Sequence, residues 1–316
     1  ARLLTRRKNK VIAKILLSDY NFITSRRLRG RRLAAVERPT LPPRAYFVRQ
    51  STCYIAQYFH STLIHILYYM VIGVLDSGIG GLTTLSEILR VRGGGEYIYF
   101  ADAAHCPYGD KSAAQIAAIV RAGAVRLMDE GAECIVLACN TATACAIDGL
   151  RAEFEKTTFV GTEPCIKTAK IYGKKLCVLA TPLTIRQPRF ARLLNGEDCF
   201  LPDCAPLAAE IEHGYPHLTG AYKMLAKILA PCRNEKFDAC VLGCTHYCLI
   251  KDHVQKLLRC PVLDGNNGVA RQLRKLAGAS PDRGKVRLIT SAPDIYTLRA
   301  AAEKILRQFA APSIIP

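Results

Sequence analysis

The chain has 316 residues, half of them hydrophobic, which is enough to bury two modest cores or one large one and excludes a disulfide-stapled miniprotein. A formal net charge of +18 spread over the body would point to nucleic acid or an anionic membrane. Residues 1–70, however, hold 14 of the 44 Lys and Arg and only Asp19 and Glu37 as acids, so the basic character belongs to a tail.

Residues 1–50 carry the clusters Arg6-Arg7-Lys8 and Arg26 to Arg32, followed by Pro39, Pro42 and Pro43. No amphipathic period survives these breaks, and the segment reads as disordered. Residues 51–69 are apolar and aromatic but contain Gln57, His60 and His65, too polar for a membrane span. Met70 stands immediately before the first strand-like run. Residues 1–69 are therefore expected to be a basic, disordered or non-native extension, with translation starting at Met70. An organellar transit peptide, a membrane anchor or a basic arm are the alternatives.

From Val71 onward strands and helices alternate. Val71–Leu75 is a short apolar run that ends in Asp76-Ser-Gly-Ile-Gly-Gly81, and a helix follows from Leu82 to about Arg90. Strands are expected at Glu96–Ala101, Cys134–Ala138, Lys175–Ala180, Ala239–Leu242 and Val286–Thr290. Long helices are expected at Ser112–Gly131 and Thr141–Glu155. This alternation implies α/β architecture with parallel sheets covered by helices on both faces, and a ligand site beyond the carboxyl ends of the strands.

Two segments match element by element. Glu133-Cys-Ile-Val-Leu-Ala-Cys139-Asn-Thr141 and Asp238-Ala-Cys-Val-Leu-Gly-Cys244-Thr-His246 each have an acid, an apolar run, a small residue, a cysteine and polar groups. The repeat suits two related α/β halves facing each other. The other cysteines show no CxxC and no paired histidine spacing for zinc. Several lie in apolar runs (Cys134, Cys177, Cys240), where a reduced thiol packs as a small hydrophobe. Either Cys139 or Cys244 alone would read the same way, but the duplicated context favours a reactive pair.

A cysteine at a strand end leading into a helix sits near backbone N–H groups and a positive helix terminus, which is expected to lower its pKa. Two thiols on opposite walls of a cleft suit inversion of a stereocentre. One thiolate removes a proton from one face while one thiol delivers a proton to the other. Carbanion character at the α-carbon then needs hydrogen bonds and exclusion of water. Asp76 and His246 are the ionisable neighbours that sequence offers; a helix N-cap and a polar loop residue are their ordinary alternatives. The glycine-rich loop 76–81 lacks the GxGxxG and GK[ST] patterns of nucleotide sites. Its N–H groups and Ser77 could equally hold a substrate carboxylate.

Residues 71 to about 270 resemble glutamate racemase, of the aspartate/glutamate racemase superfamily. The stretches that carry the resemblance are Gly73-Val-Leu-Asp-Ser-Gly-Ile-Gly-Gly-Leu82, Pro107-Tyr108-Gly109, Ala138-Cys-Asn-Thr-Ala142, Glu163-Pro164 and Gly243-Cys-Thr-His-Tyr247. The resemblance implies two similar three-layer α/β domains with mainly parallel sheets and an active site in the cleft between them. Residues 70–165 plus 264–316 would form the first domain and 166–263 the second. It implies Cys139 and Cys244 as the acid/base pair, assisted by Asp76, His246 and Glu212. Asp76, Ser77, Tyr108, Gly109, Asn140, Thr141, Thr245 and His246 match substrate-binding positions, and Thr181 and Thr184 match more loosely. His246 after Cys-Thr favours the glutamate branch, since the aspartate branch typically has Glu there. Cys165 after Glu-Pro and the Asp264-Gly-Asn-Asn-Gly268 stretch depart from the pattern without touching a catalytic position.

The expectation is a cofactor-independent, metal-free, cytoplasmic enzyme that interconverts L- and D-glutamate for peptidoglycan synthesis and forms a homodimer, with no nucleic-acid or membrane partner. Cys244 would deprotonate L-glutamate and Cys139 the D form. The alternatives are an aspartate or broad-specificity racemase, and a non-catalytic binding protein acting through the basic N-terminal arm. Pyridoxal phosphate would need a Schiff-base lysine in a phosphate site, and no segment announces one.

Overall fold

The computed structural model describes residues 70–196, 199–307 and 313–315, all within one compact unit. The expectations for residues 1–69 fall outside the described residues. Strand β1 (Val71–Asp76) is followed by α1 (Leu82–Arg92), β2 (Gly93–Ala101), α2 (Ala113–Asp129), β3 (Cys134–Leu137), α3 (Asn140–Glu153) and β4 (Thr158–Gly161). Then come α4 (Ile166–Ala169), β5 (Leu176–Ala180), α5 (Pro182–Ile185), α6 (Pro188–Leu194), α7 (Leu207–Gly214), α8 (Thr219–Ile228) and β6 (Ala239–Gly243). The described chain closes with α9 (Lys251–Leu258), β7 (Val262–Asp264), α10 (Asn266–Ala277), β8 (Ser280–Thr290), α11 (Ile295–Leu306) and β9 (Ser313–Ile315).

The strands form two sheets: a six-stranded one ordered β4-β3-β1-β2-β8-β9 and a three-stranded one ordered β5-β6-β7. Every strand pairing is parallel. That explains why the central strands read as unbroken apolar runs, since both of their faces are covered. In the larger sheet Ile72, Val74, Tyr97 and Val136 face α1, α10 and α11, while Leu75, Ile98, Ile135 and Leu137 face α2 and α3. In the smaller sheet Cys177, Leu179, Cys240 and Leu242 pack against α7, α8 and α9, and Val178, Ala180 and Val241 pack against α4 and α6. Both lobes are thus three-layered, as expected, though of unequal size.

Local signals set several helix ends. Ser112 and Gln115 form a capping box at the start of α2, and the Asp294 carboxylate accepts from the N–H groups of Tyr296 and Thr297 to start α11. Three strands escaped the sequence reading: β4, β7 and β9, each of three or four residues. Strand β2 also starts earlier than expected, at Gly93, where the triplet Gly93-Gly-Gly95 carries no side-chain pattern to read. Gly93 has φ of 87° and Gly95 of 120°, with an irregularity in the pairing to β8 between them.

In the larger sheet β2 and β3 lie on opposite sides of β1. The connections therefore diverge beyond the carboxyl ends of β1 and β3, where open α/β sheets bind ligands. Asp76 ends β1, and Cys139 follows β3 by two residues.

Candidate active site

Leu75 of β1 pairs with Leu137 of β3. Two residues further on, the same register brings Ser77 beside Cys139, with Ser77 Oγ 3.9 Å from the Cys139 Sγ. Cys139 is the N-cap of α3, and its sulfur accepts from the Ala142 N–H at 3.5 Å. The helix terminus anticipated from sequence is therefore present, but its expected effect on the thiol is overturned. Burial, at 6% exposure, pushes the Cys139 thiol well up, and the Asp76 carboxylate adds to the shift; the Ala142 N–H opposes both and loses. Both burial and Asp76 favour the protonated thiol of Cys139 over its thiolate.

Cys244, 7% exposed, follows β6 at the carboxyl end of the central strand of the smaller sheet. It leads into a 3₁₀ turn, His246–Ile250, before α9. Its sulfur lies 3.8 Å from Nδ1 of His246. Nε2 of the same ring lies 2.6 Å from Glu212 Oε2, on α7. Burial works against a charged His246, but the neighbouring Cys106, Cys244 and Glu212 side chains outweigh it and hold the ring's pKa well above the usual histidine value. Glu212 shows the complementary effect. Burial would raise its carboxyl, yet the His246 contact and the Ile79 N–H bring it below the ordinary value. The polar-loop alternative for His246 therefore does not hold, for the ring is 2% exposed and bonded on both sides.

Asp76 is not a helix cap; α1 is capped by Gly81. Its carboxylate accepts from the Gly78 N–H at 3.0 Å and, across the cleft, from the Thr245 hydroxyl at 3.2 Å. Complete burial raises its carboxyl, against the pull of His246 and of the Gly78 and Gly81 N–H groups. The glycine loop thus has a use other than the substrate carboxylate considered from sequence. The Gly78 N–H serves Asp76, and the Ile79 N–H serves Glu212 at 3.0 Å. Glycine is needed here for close approach. A Cβ on Gly80 would lie 2.7 Å from the His246 backbone nitrogen and 2.8 Å from Nδ1 and from the Thr245 hydroxyl.

The remaining expected residues fall into two groups. Tyr108 is buried and donates to Asp102 Oδ2 at 2.8 Å. Asp102 also faces His105 Nδ1 at 2.8 Å, and its N–H bonds the Asp76 carbonyl at 2.9 Å. Gly109 lies in the same short turn, with open space where a Cβ would stand. On the other side, Thr141, Thr181 and Thr184 form a triangle of hydroxyls with edges of 3.0, 3.0 and 2.8 Å. Next to Thr141, Oδ1 of buried Asn140 has no hydrogen-bond partner among the described residues, which leaves an acceptor free for a ligand's N–H.

Two residues were missed. Cys106, the residue before Pro107-Tyr108-Gly109, places its sulfur within 4.8 Å of a His246 ring nitrogen. Tyr99 donates to the Gly78 carbonyl at 2.6 Å and pins the glycine loop from β2. Cys106 adjoins a stretch that sequence had singled out; Tyr99 sits in an aromatic strand and carries no such signal. A cavity of about 1160 Å³ between α1, α10 and the segment 248–253 touches neither Cys139 nor Cys244. That cavity and the two thiols are therefore at different places.

Residues 76–273 match the family model of Asp/Glu/hydantoin racemases. The chain is 37% identical over 247 residues to the glutamate racemase of Leptospira borgpetersenii, covering 73% of this chain and 95% of that relative. Among solved structures it superposes on glutamate racemase isoform RacE1 from Bacillus anthracis with a TM-score of 0.69 and 27% identity, over 78% of this chain and 97% of that one. The glutamate racemase of Francisella tularensis, solved in complex with D-glutamate, gives a TM-score of 0.65 at 25% identity, over 78% and 96%.

Proposed function

The chain belongs to the Asp/Glu/hydantoin racemase family, and from that premise we propose that it interconverts L- and D-glutamate with Cys139 and Cys244 as opposed acid/base groups. The observation that carries this reading is the placement of the two thiols. Each lies just beyond the carboxyl end of a strand, one strand per sheet, each nearly sealed from solvent and near enough that Cys244 contributes to the electrostatics of Cys139.

Cys139, resting as a thiol, is the acid that protonates one face of the α-carbon. Cys244, with His246 and Glu212 behind it, is the base at the other face when L-glutamate is bound. With D-glutamate the roles exchange. Asp76 accepts or returns the Cys139 proton, which its raised carboxyl suits. Exclusion of water strengthens every charge interaction around the developing carbanion. Asn140, Thr141 and Thr245, with Ser77, Tyr108 and Gly109, bind the substrate, with Thr181 and Thr184 behind Thr141. The reaction runs without an added cofactor, because the two thiols supply both proton transfers.

The same reading takes residues 70–165 with 264–316 as one domain and 166–263 as the other, and places a homodimer in the cytoplasm, where D-glutamate feeds peptidoglycan synthesis. Among the described residues no helix is long and apolar enough to cross a membrane.

The test is incubation of purified protein with L-glutamate in D₂O, following optical rotation and α-proton exchange, with L-aspartate, Cys139→Ala and Cys244→Ala alongside. Racemisation of glutamate abolished in either variant is the expected result. Activity confined to aspartate would replace the substrate, and no exchange by folded, reduced protein would overturn the reading.

A further inference from the structure

Cys106, Glu212 and His246 come from three distant segments: the turn after β2, helix α7 and the 3₁₀ turn after β6. Each offers one donor atom, and the three atoms lie within 4.8 Å of one another. His246 and Glu212 are nearly buried, with side chains 3% and 13% exposed, and Cys106 is only partly accessible. Thiolate, imidazole and carboxylate together form a donor set of the zinc class, neither the all-oxygen shell of magnesium or calcium nor an all-sulfur shell.

We propose that Cys106, His246 and Glu212 form a binding site for a zinc-class divalent cation, and that its occupancy reversibly shuts off the thiol chemistry beside it. In a tetrahedral zinc site, bonds of about 2.0–2.3 Å separate neighbouring donors by about 3.3–3.7 Å. The His246–Glu212 contact at 2.6 Å must open by about 1 Å to reach that spacing, and the Cys106 sulfur starts within 4.8 Å of both. Three protein donors leave the fourth position to water, the arrangement of an open zinc site. The Ile79 N–H, 3.0 Å from Glu212 Oε2, already orients the carboxylate, which is the support that holds metal ligands in place. Binding releases the Cys106 thiol proton and any proton on the ligating His246 nitrogen; no electrons move. The released protons are the cost of occupancy, and its consequence is that His246, with Nε2 on the metal and Nδ1 still facing Cys244, can no longer pass a proton on to Glu212. The inhibitory half rests on the function proposed above, while the binding half does not.

The full chain, reduced and metal-free, is titrated with zinc by calorimetry and with cobalt by absorbance, and zinc inhibition is measured in the racemisation assay. The expected result is one tight site per chain, a thiolate-to-cobalt charge-transfer band, and inhibition reversed by a chelator. Cys106→Ser abolishes the band and weakens zinc binding by at least about tenfold, Glu212→Gln weakens it likewise, and Cys165→Ser leaves it intact. Circular dichroism and melting confirm that each variant is folded, and Glu212→Gln carries the comparison should Cys106→Ser fail to fold. Wild-type affinity in folded Cys106→Ser, or no cobalt band, overturns the site. Binding at this site with undiminished racemisation overturns the inhibition. Metal binding intact in a protein that racemises no amino acid refutes the proposed function and leaves the site standing.

Discussion

His246 and Glu212 meet at 2.6 Å from different segments of the smaller lobe, and Glu212 at the same time accepts the Ile79 N–H of the larger lobe at 3.0 Å. The pair therefore favours the charged form of the His246 imidazole and also ties the two lobes together.

Replacing Glu212 by Gln should lower the His246 pKa, because the contacts that outweigh burial include this carboxylate. The folded His246 pKa is raised, so its contribution to stability is full below the unfolded value of 6.5 and fades as pH rises through the folded pKa. The folded Glu212 pKa is depressed, so its contribution is full above 4.5 and fades as pH falls through the folded pKa. Denaturant melts should thus show wild type exceeding Glu212→Gln by about 1–3 kcal/mol between those two values, with the gap narrowing on either side. A gap independent of pH would show that the pair acts by packing alone.

Asp76 raises the Cys139 thiol by charge repulsion, second to burial. Asp76→Asn removes the repulsion and keeps the shape. Alkylation of Cys139 at neutral pH, followed by peptide mapping, should therefore speed up in the variant while racemisation slows by at least about tenfold through loss of a proton-transfer partner. Slower alkylation would reverse the assigned sign.

Gly80→Ala should be felt at once, since the new methyl lies 2.7–2.8 Å from His246 and Thr245. Overpacking of this kind costs about 1–3 kcal/mol, and displacement of His246 should depress kcat more than it raises KM. Gly109→Ala meets nothing within 4 Å and should leave the melting midpoint within about 0.5 kcal/mol of wild type.

The hydroxyl triangle predicts a different pattern. Thr184→Val keeps the volume but leaves the Thr141 and Thr181 hydroxyls, both buried, each short of one partner. The expected loss is about 1–3 kcal/mol of stability, read by chemical denaturation, with a higher KM for glutamate as Thr141 loses its orientation.

Much of this was written along the chain. The strings ending in Cys139 and Cys244 stood out because a buried strand and the residue after it are contiguous, and so did Asp76, Ser77 and His246. What stayed hidden depends on depth or on long-range meeting. The helix start at Cys139 was readable, but its burial and the nearness of Asp76 were not, and these reversed the sign expected for its thiol. Cys106, Glu212 and His246 are separated by 106 and 34 positions, so no ligand spacing exists to detect. Strands β4, β7 and β9 are too short for a period to register, and the glycine triplet that opens β2 has no side chains to alternate.

Besides the Thr141 contacts to Thr181 and Thr184, two hydrogen bonds described above run from one lobe to the other, Thr245 to Asp76 and Ile79 to Glu212. A parting of the lobes that broke both would leave Asp76 with the Gly78 N–H and Glu212 with the His246 ring, each short of one partner. The molecule is thus wired as an interlock. On the proposed mechanism, the groups that move protons hold their full set of partners only while the lobes are together.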